Sequence, residues 1–210
     1  MGLVDYIARA GRPDVGEVFY KNYFGLFYEM GAAESVIAGD RPGPLVEEAK
    51  RNLSMGFHEA AVGKFRRAYE LNKENGALAA AASCLRAAAE AGILLPVPDY
   101  DLVAKGFEEA GLLMLKNEIT AFGASNCFAN SLFCLLAAGR ASTSVDKFEE
   151  FKKADTRFAD SIDGIGARVI IEAFRGGNRN QTRDRVEGFK DVIAVPVWRS
   201  GLLDKIVDRL

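Results

Sequence analysis

Apolar and polar positions recur with the three-to-four spacing of amphipathic helices almost throughout this chain, and β-branched alternation extends nowhere beyond a few residues. That spacing predicts helices over 3–10, 15–30, 44–55, 57–75, 77–91, 100–116, 121–138, 145–154, 161–174, 182–192 and 195–210. The punctuation agrees. Gly11-Arg12-Pro13 and the run from Gly39 to Gly43 break the pattern, and Asp14 and Pro44 are suited to helix starts. Asn75-Gly76 reads as a C-cap, Pro96 and Pro98 follow Gly92, and Gly139 and Gly176-Gly177 close later segments.

Consecutive helices of this length with short connections form antiparallel hairpins. The segment 57–91 reads as one such hairpin. Its close-approach positions are small: Ala60, Ala61, Gly63 and Ala68, then an alanine-rich partner from Ala77 to Ala89. Small-residue packing of this kind predicts an all-α fold of stacked tetratricopeptide-like hairpins, with degenerate repeats. The reading divides one continuous domain into a hairpin array over 1–140 and a small C-terminal helical bundle over 141–210. The tail, with Trp198, Leu202, Leu203 and Leu210, reads as an exposed apolar handle, or, if Trp198, Leu202 and Ile206 pack inward, as a terminal cap.

Composition narrows the function. The 210 residues are 49% hydrophobic and 27% charged, a globular balance. Net charge of −2 argues against nucleic acid as partner, because phosphate binding needs concentrated Lys and Arg. Three cysteines, Cys84, Cys127 and Cys134, sit in apolar helical patterns and read as reduced, buried thiols of a cytoplasmic protein. The first residues lack a long apolar core, no run approaches 18 apolar residues, and Tyr6 occupies the position where a myristoylation signal has Ser or Thr.

Candidate chemistry is sparse, and the sequence predicts no catalytic, cofactor or metal site. His58 is the single histidine; a nucleophile pair would need it beside Cys84 with a third orienting group. Glu108-Glu109, and Glu149-Glu150 with Lys152-Lys153, read as solvated helix faces rather than acid–base pairs. The glycine loop at 176–180 lacks Gly-Lys-Ser/Thr and a preceding strand, so it reads as a helix–helix turn. Phe19, Tyr20, Tyr23, Phe24, Phe27 and Tyr28 fall on one side of a helix. That stripe is either a cap packed on the next helix or a membrane- or partner-contacting face centred on Phe19, Phe24 and Phe27.

Order and spacing from 57 to 210 resemble the SNAP family, soluble attachment proteins that adapt SNARE complexes to an AAA disassembly ATPase. The resemblance is carried by Ala82-Ser83-Cys84-Leu85-Arg86 and by Leu132-Phe133-Cys134-Leu135 followed by Phe148-Glu149-Glu150-Phe151. It continues through Thr156-Arg157-Phe158-Ala159-Asp160-Ser161, Ile171-Glu172-Ala173 and Phe189-Lys190-Asp191. It ends with Val197-Trp198, Leu202-Leu203 and Ile206.

The resemblance implies no catalysis. It implies a twisted array of hairpins whose concave face grips a SNARE-like helical bundle and whose C-terminal end docks a hexameric AAA ATPase. By position, the ATPase-docking residues are Glu172, Leu202, Leu203 and Leu210, and the client-facing residues are Ser83, Arg86, Ser125 and Asn130. The family carries lysines on its client-facing helices, where this chain has Ser83, Ala121, Ser125 and Asn130, with Arg86 basic. Phe174-Arg175-Gly176-Gly177 stands where the family has an acidic cluster, and no loop matches the family's paired-Phe membrane attachment. The alternative reading is a generic tetratricopeptide-like scaffold for a peptide or protein unrelated to SNAREs.

Overall fold

A computed structural model describes residues 41–210, which form one compact unit. Its elements are α1 (Pro42–Ser54), α2 (His58–Glu74), α3 (Leu78–Ile93), α4 (Tyr100–Met114), α5 (Ala124–Ala137), α6 (Ala141–Ala154), α7 (Ile162–Arg175), α8 (Arg179–Val192) and α9 (Val197–Asp208). Short 3₁₀ turns, Ala121–Gly123 and Phe158–Asp160, precede α5 and α7. The described residues are all-α, with no strand among them. Helices α1 to α5 pack each against the next, a stack of antiparallel hairpins; α6 to α9 close into a bundle around α5.

Composition sets this division. In α3, Ala81, Ala82, Ala88, Ala89 and Ala91 are buried, which lets neighbouring helices approach closely. Helix α5 is buried at every position from 127 to 137, as expected of a helix apolar all round. It packs against α4, α6, α7 and α9 and is the centre of the molecule. At Gly111 of α4 a Cβ would stand 2.6 Å from the Phe128 ring, so only glycine admits that approach. Beyond α5, large rings take over. Phe128 stacks on Phe151 at 4.4 Å, and Phe158 meets Phe128 edge-on at 5.7 Å and Phe148 at 5.3 Å.

The helix ends follow the punctuation. Asn75 and Gly76 end α2, with Gly76 at φ +71°, and Gly139 and Gly177 take the same left-handed conformation. Two starts come three or more residues earlier than the pattern predicts. Helix α6 begins at Ala141 rather than 145, because Ser144 shares the buried stripe of Phe148 and Phe151. Of the Ser142-Thr143-Ser144 run, Ser144 is buried and the other two are exposed in the first turn. Helix α8 begins at Arg179 because Asn178 caps it, its side-chain oxygen accepting from the Gln181 N–H at 3.1 Å. The polar stretch 178–181 is therefore cap and first turn, not loop.

Candidate docking faces

Four residues were expected to face a client. Ser83 is exposed on α3, its hydroxyl donating to the Ala79 carbonyl at 3.1 Å. Arg86, one turn on, is half-buried, with Nε 3.5 Å from a Glu90 oxygen. Burial raises the Glu90 carboxyl above its ordinary range, while Arg86 and Arg199 pull it back down. The single cation on this face of α3 is thus paired within its own helix. Ser125 is half-buried at the start of α5. Asn130 is a correction: it is fully buried, and its amide donates to the Asn126 side-chain oxygen at 3.0 Å. An amide placed in a helix that is covered on all sides cannot touch a client.

The tail requires a second correction. Helix α9 is no free handle: Leu202, Leu203, Ile206 and Val207 are all buried against the bundle. Leu202 and Leu203 therefore hold α9 in place and offer nothing to a partner. Trp198 is partly buried and stacks on Phe107 of α4, ring centroids 6.0 Å apart. Leu210 remains 39% exposed, and Glu172 is exposed near the end of α7. These two lie at one end of the bundle. Arg179, just past the α7–α8 turn, pairs with Asp208 at 3.3 Å, and Arg209 borders Gly139 at the α5–α6 turn.

What seats α9 is a residue the sequence reading did not single out. Arg199 is 3% exposed and donates to Asp163 of α7 at 2.6 Å. Its guanidinium lies 5.4 Å and 5.3 Å from the ring centroids of Phe133 and Phe189. Asn126 reaches both Asp163 oxygens at 3.4 Å. The tie therefore joins α5, α7, α8 and α9. One signal for it existed in the sequence: Arg199, Leu203 and Val207 recur at i, i+4 and i+8, which puts an arginine on the apolar stripe.

The remaining candidates resolve into packing. Cys84 is the acceptor of the Asn72 amide at 3.5 Å, not a partner of His58, whose buried Nδ1 has no hydrogen bond. Burial raises all three thiols, Cys127 to about 12, so none is poised as a thiolate. Glu109 accepts from Tyr69 and lies 3.2 Å from Lys73, Glu108 pairs with Lys147 at 2.9 Å, and Glu149 pairs with Lys152 at 2.8 Å. The first two link α2 to α4 and α4 to α6 along one layer of the stack. No three metal-ligating side chains converge among the described residues, and no helix of theirs is long and apolar enough to cross a membrane. Phe19, Phe24 and Phe27 lie outside the described residues.

Comparison with known proteins agrees with this architecture. No curated protein matches the chain. The sequence model of one family, described as "Soluble NSF attachment protein, SNAP", matches residues 44–210, which is nearly all of the described unit. The chain belongs to the soluble NSF attachment protein family.

Proposed function

We propose that this protein is a non-enzymatic adaptor that links a SNARE-like helical bundle to a hexameric AAA ATPase, acting in the cytoplasm on complexes to be disassembled during vesicle transport. The observation that carries the reading is the family match over 44–210. Recognition without bond chemistry also accords with buried, protonated thiols and ion-paired carboxylates. In this reading Glu172 and Leu210, exposed at one end of the bundle, contact the ATPase. Ser83, Arg86 and Ser125 contact the client.

The test must spare the core. Deleting the last four residues would remove buried Val207 and confound docking with unfolding. Leu210→Asp alters an exposed side chain instead. The expected result is loss of ATPase capture and stimulation with client binding and circular dichroism unchanged; wild-type stimulation by the variant sinks the proposed docking role.

One observation favours a second reading, a helical scaffold for another protein. Arg86 is tied to Glu90 and its neighbours are alanine and serine, so this face recognises by shape more than by charge. Capture of a helical client that persists at high salt, with no ATPase bound, would select it.

A further inference from the structure

The loop joining α4 to α5 holds two large apolar side chains in solvent: Ile119 is 86% and Phe122 80% exposed. The first turns of α7 add Ile162 and Ile165, both exposed, at the same end of the molecule, since Asn126 of α5 reaches Asp163 of α7. The Arg157 guanidinium lies 5.7 Å from the Phe122 ring centroid.

The loop backbone is largely satisfied from within. The Asn117 side-chain oxygen accepts from the N–H groups of Ile119 at 2.9 Å and Thr120 at 3.3 Å. Its carbonyl accepts from Thr120 at 3.1 Å and Ala121 at 2.9 Å. The Thr120 hydroxyl donates to the Met114 carbonyl at 3.0 Å, and the Gly123 N–H to the Thr120 carbonyl at 2.9 Å. Apolar side chains on a turn with most of its N–H groups occupied suit an apolar medium, where an unpaired peptide group is costly.

Area and charge choose among occupants. A large ring buries about 150–250 Å², so these four partly exposed side chains offer on the order of 500 Å². A stable protein interface needs roughly 800 Å² on each side, which makes the tip too small for a second copy docked here alone. The segments 116–118 and 149–163 that carry or flank these side chains hold no basic excess: Lys116, Lys152, Lys153 and Arg157 against Glu118, Glu149, Glu150, Asp155, Asp160 and Asp163. Attraction to anionic headgroups is therefore not what would hold it. We propose that the 119–122 tip is a lipid-contact point that enters the interfacial region of a bilayer by apolar burial, without a requirement for anionic lipid.

Flotation of the full chain with small phosphatidylcholine vesicles, with and without phosphatidylserine and at low and high salt, tests this. The wild type should float in all four conditions. The double variant Ile119→Asp/Phe122→Asp should lose at least about tenfold in bound fraction with unchanged circular dichroism. Val97→Asp, on the exposed turn at the other end of α4, should float normally. The proposal is overturned if the wild type does not float, or floats only with phosphatidylserine. It is equally overturned if the double variant floats like the wild type, whether or not Phe24→Asp/Phe27→Asp does. A tip variant whose only effect is to abolish wild-type self-association in sedimentation velocity also overturns it, in favour of a second copy.

Discussion

The hairpin stack α1–α5 and the bundle α6–α9 are built by different means. In the stack many buried positions are alanine, Gly111 gives a close approach, and ion pairs lie on the outside, as with Lys73–Glu109 at 3.2 Å. In the bundle the contacts are long-range and carried by rings. Trp198 stacks on Phe107, Phe189 lies 5.7 Å from Phe133, and a buried arginine joins four helices. Small residues permit close approach but fix little; rings and a buried charge specify one arrangement. The exposed docking candidates Glu172 and Leu210 stand on the bundle, so their placement rests on the Arg199 tie rather than on the stack.

The sharpest way to break that contrast is to remove the tie. Asp163→Ala leaves Arg199 buried and uncompensated, and is expected to cost about 3–5 kcal/mol of unfolding free energy in denaturant titration. The double variant Asp163→Leu/Arg199→Met, which takes away both charges, should recover most of it. A single-variant cost below about 1 kcal/mol would mean that the pair behaves as a surface one and that rings alone seat α9.

A smaller effect probes the stack on its own terms. Gly111→Ala puts a Cβ against a Phe128 ring already held by Phe151, and is expected to destabilise by about 1–3 kcal/mol. Gly63→Ala, on the exposed face of α2 with nothing within 4 Å, should stabilise by about 0.5–1 kcal/mol. If both glycines respond alike in thermal unfolding, helix propensity rather than close approach governs the stack.

This asymmetry explains what could be read from the sequence. Local signals were legible between 41 and 210: the helical spacing, the Asn75-Gly76 cap and the alanine-rich hairpin appear in the fold, although Ala60 and Gly63, expected at close approach, are exposed. The helices expected over 3–10 and 15–30 lie outside the described residues. The SNAP resemblance, carried by ordered apolar motifs, agrees with the family match. Burial in the bundle was not legible, because it depends on which distant helix covers a face. The inward-packing alternative for Leu202 and Ile206 is the one the fold adopts, but Leu203 looks as available as Leu210 until α9 is seen lying against the bundle, and Asn130 looks like a surface amide until α5 is enclosed on all sides. Ser144 was hidden for a related reason, since a small hydroxyl gives no apolar signal of the buried stripe it shares with Phe148 and Phe151. Arg199 had its signal, the i, i+4, i+8 register with Leu203 and Val207, but its partner Asp163 comes from another helix.

The smallest effect concerns the connection between the two regions' aromatic seam and solvent, at Asp155. Its side chain is buried next to Phe158, and it accepts from the Arg157 side chain at 2.9 Å and 3.2 Å and from the Arg157 backbone N–H at 3.1 Å. Burial works to raise this carboxyl, but the Arg157 hydrogen bonds outweigh it and the net direction is down. A folded-state value below the unfolded one contributes stability above about pH 4 that is lost as pH falls through the lowered value. Arg157 is itself half exposed, so solvent screens the pair. Arg157→Ala is expected to lower the urea midpoint only slightly at neutral pH, as for an exposed ion pair. The cost should shrink on acidification, because a protonated Asp155 no longer needs the guanidinium. Urea midpoints of both proteins at pH 7 and near pH 3 isolate the effect, since carboxylates common to both cancel in the difference. A gap that stays constant across that range would assign the loss to the contact of Arg157 with the Phe122 ring, and not to its pairing with Asp155.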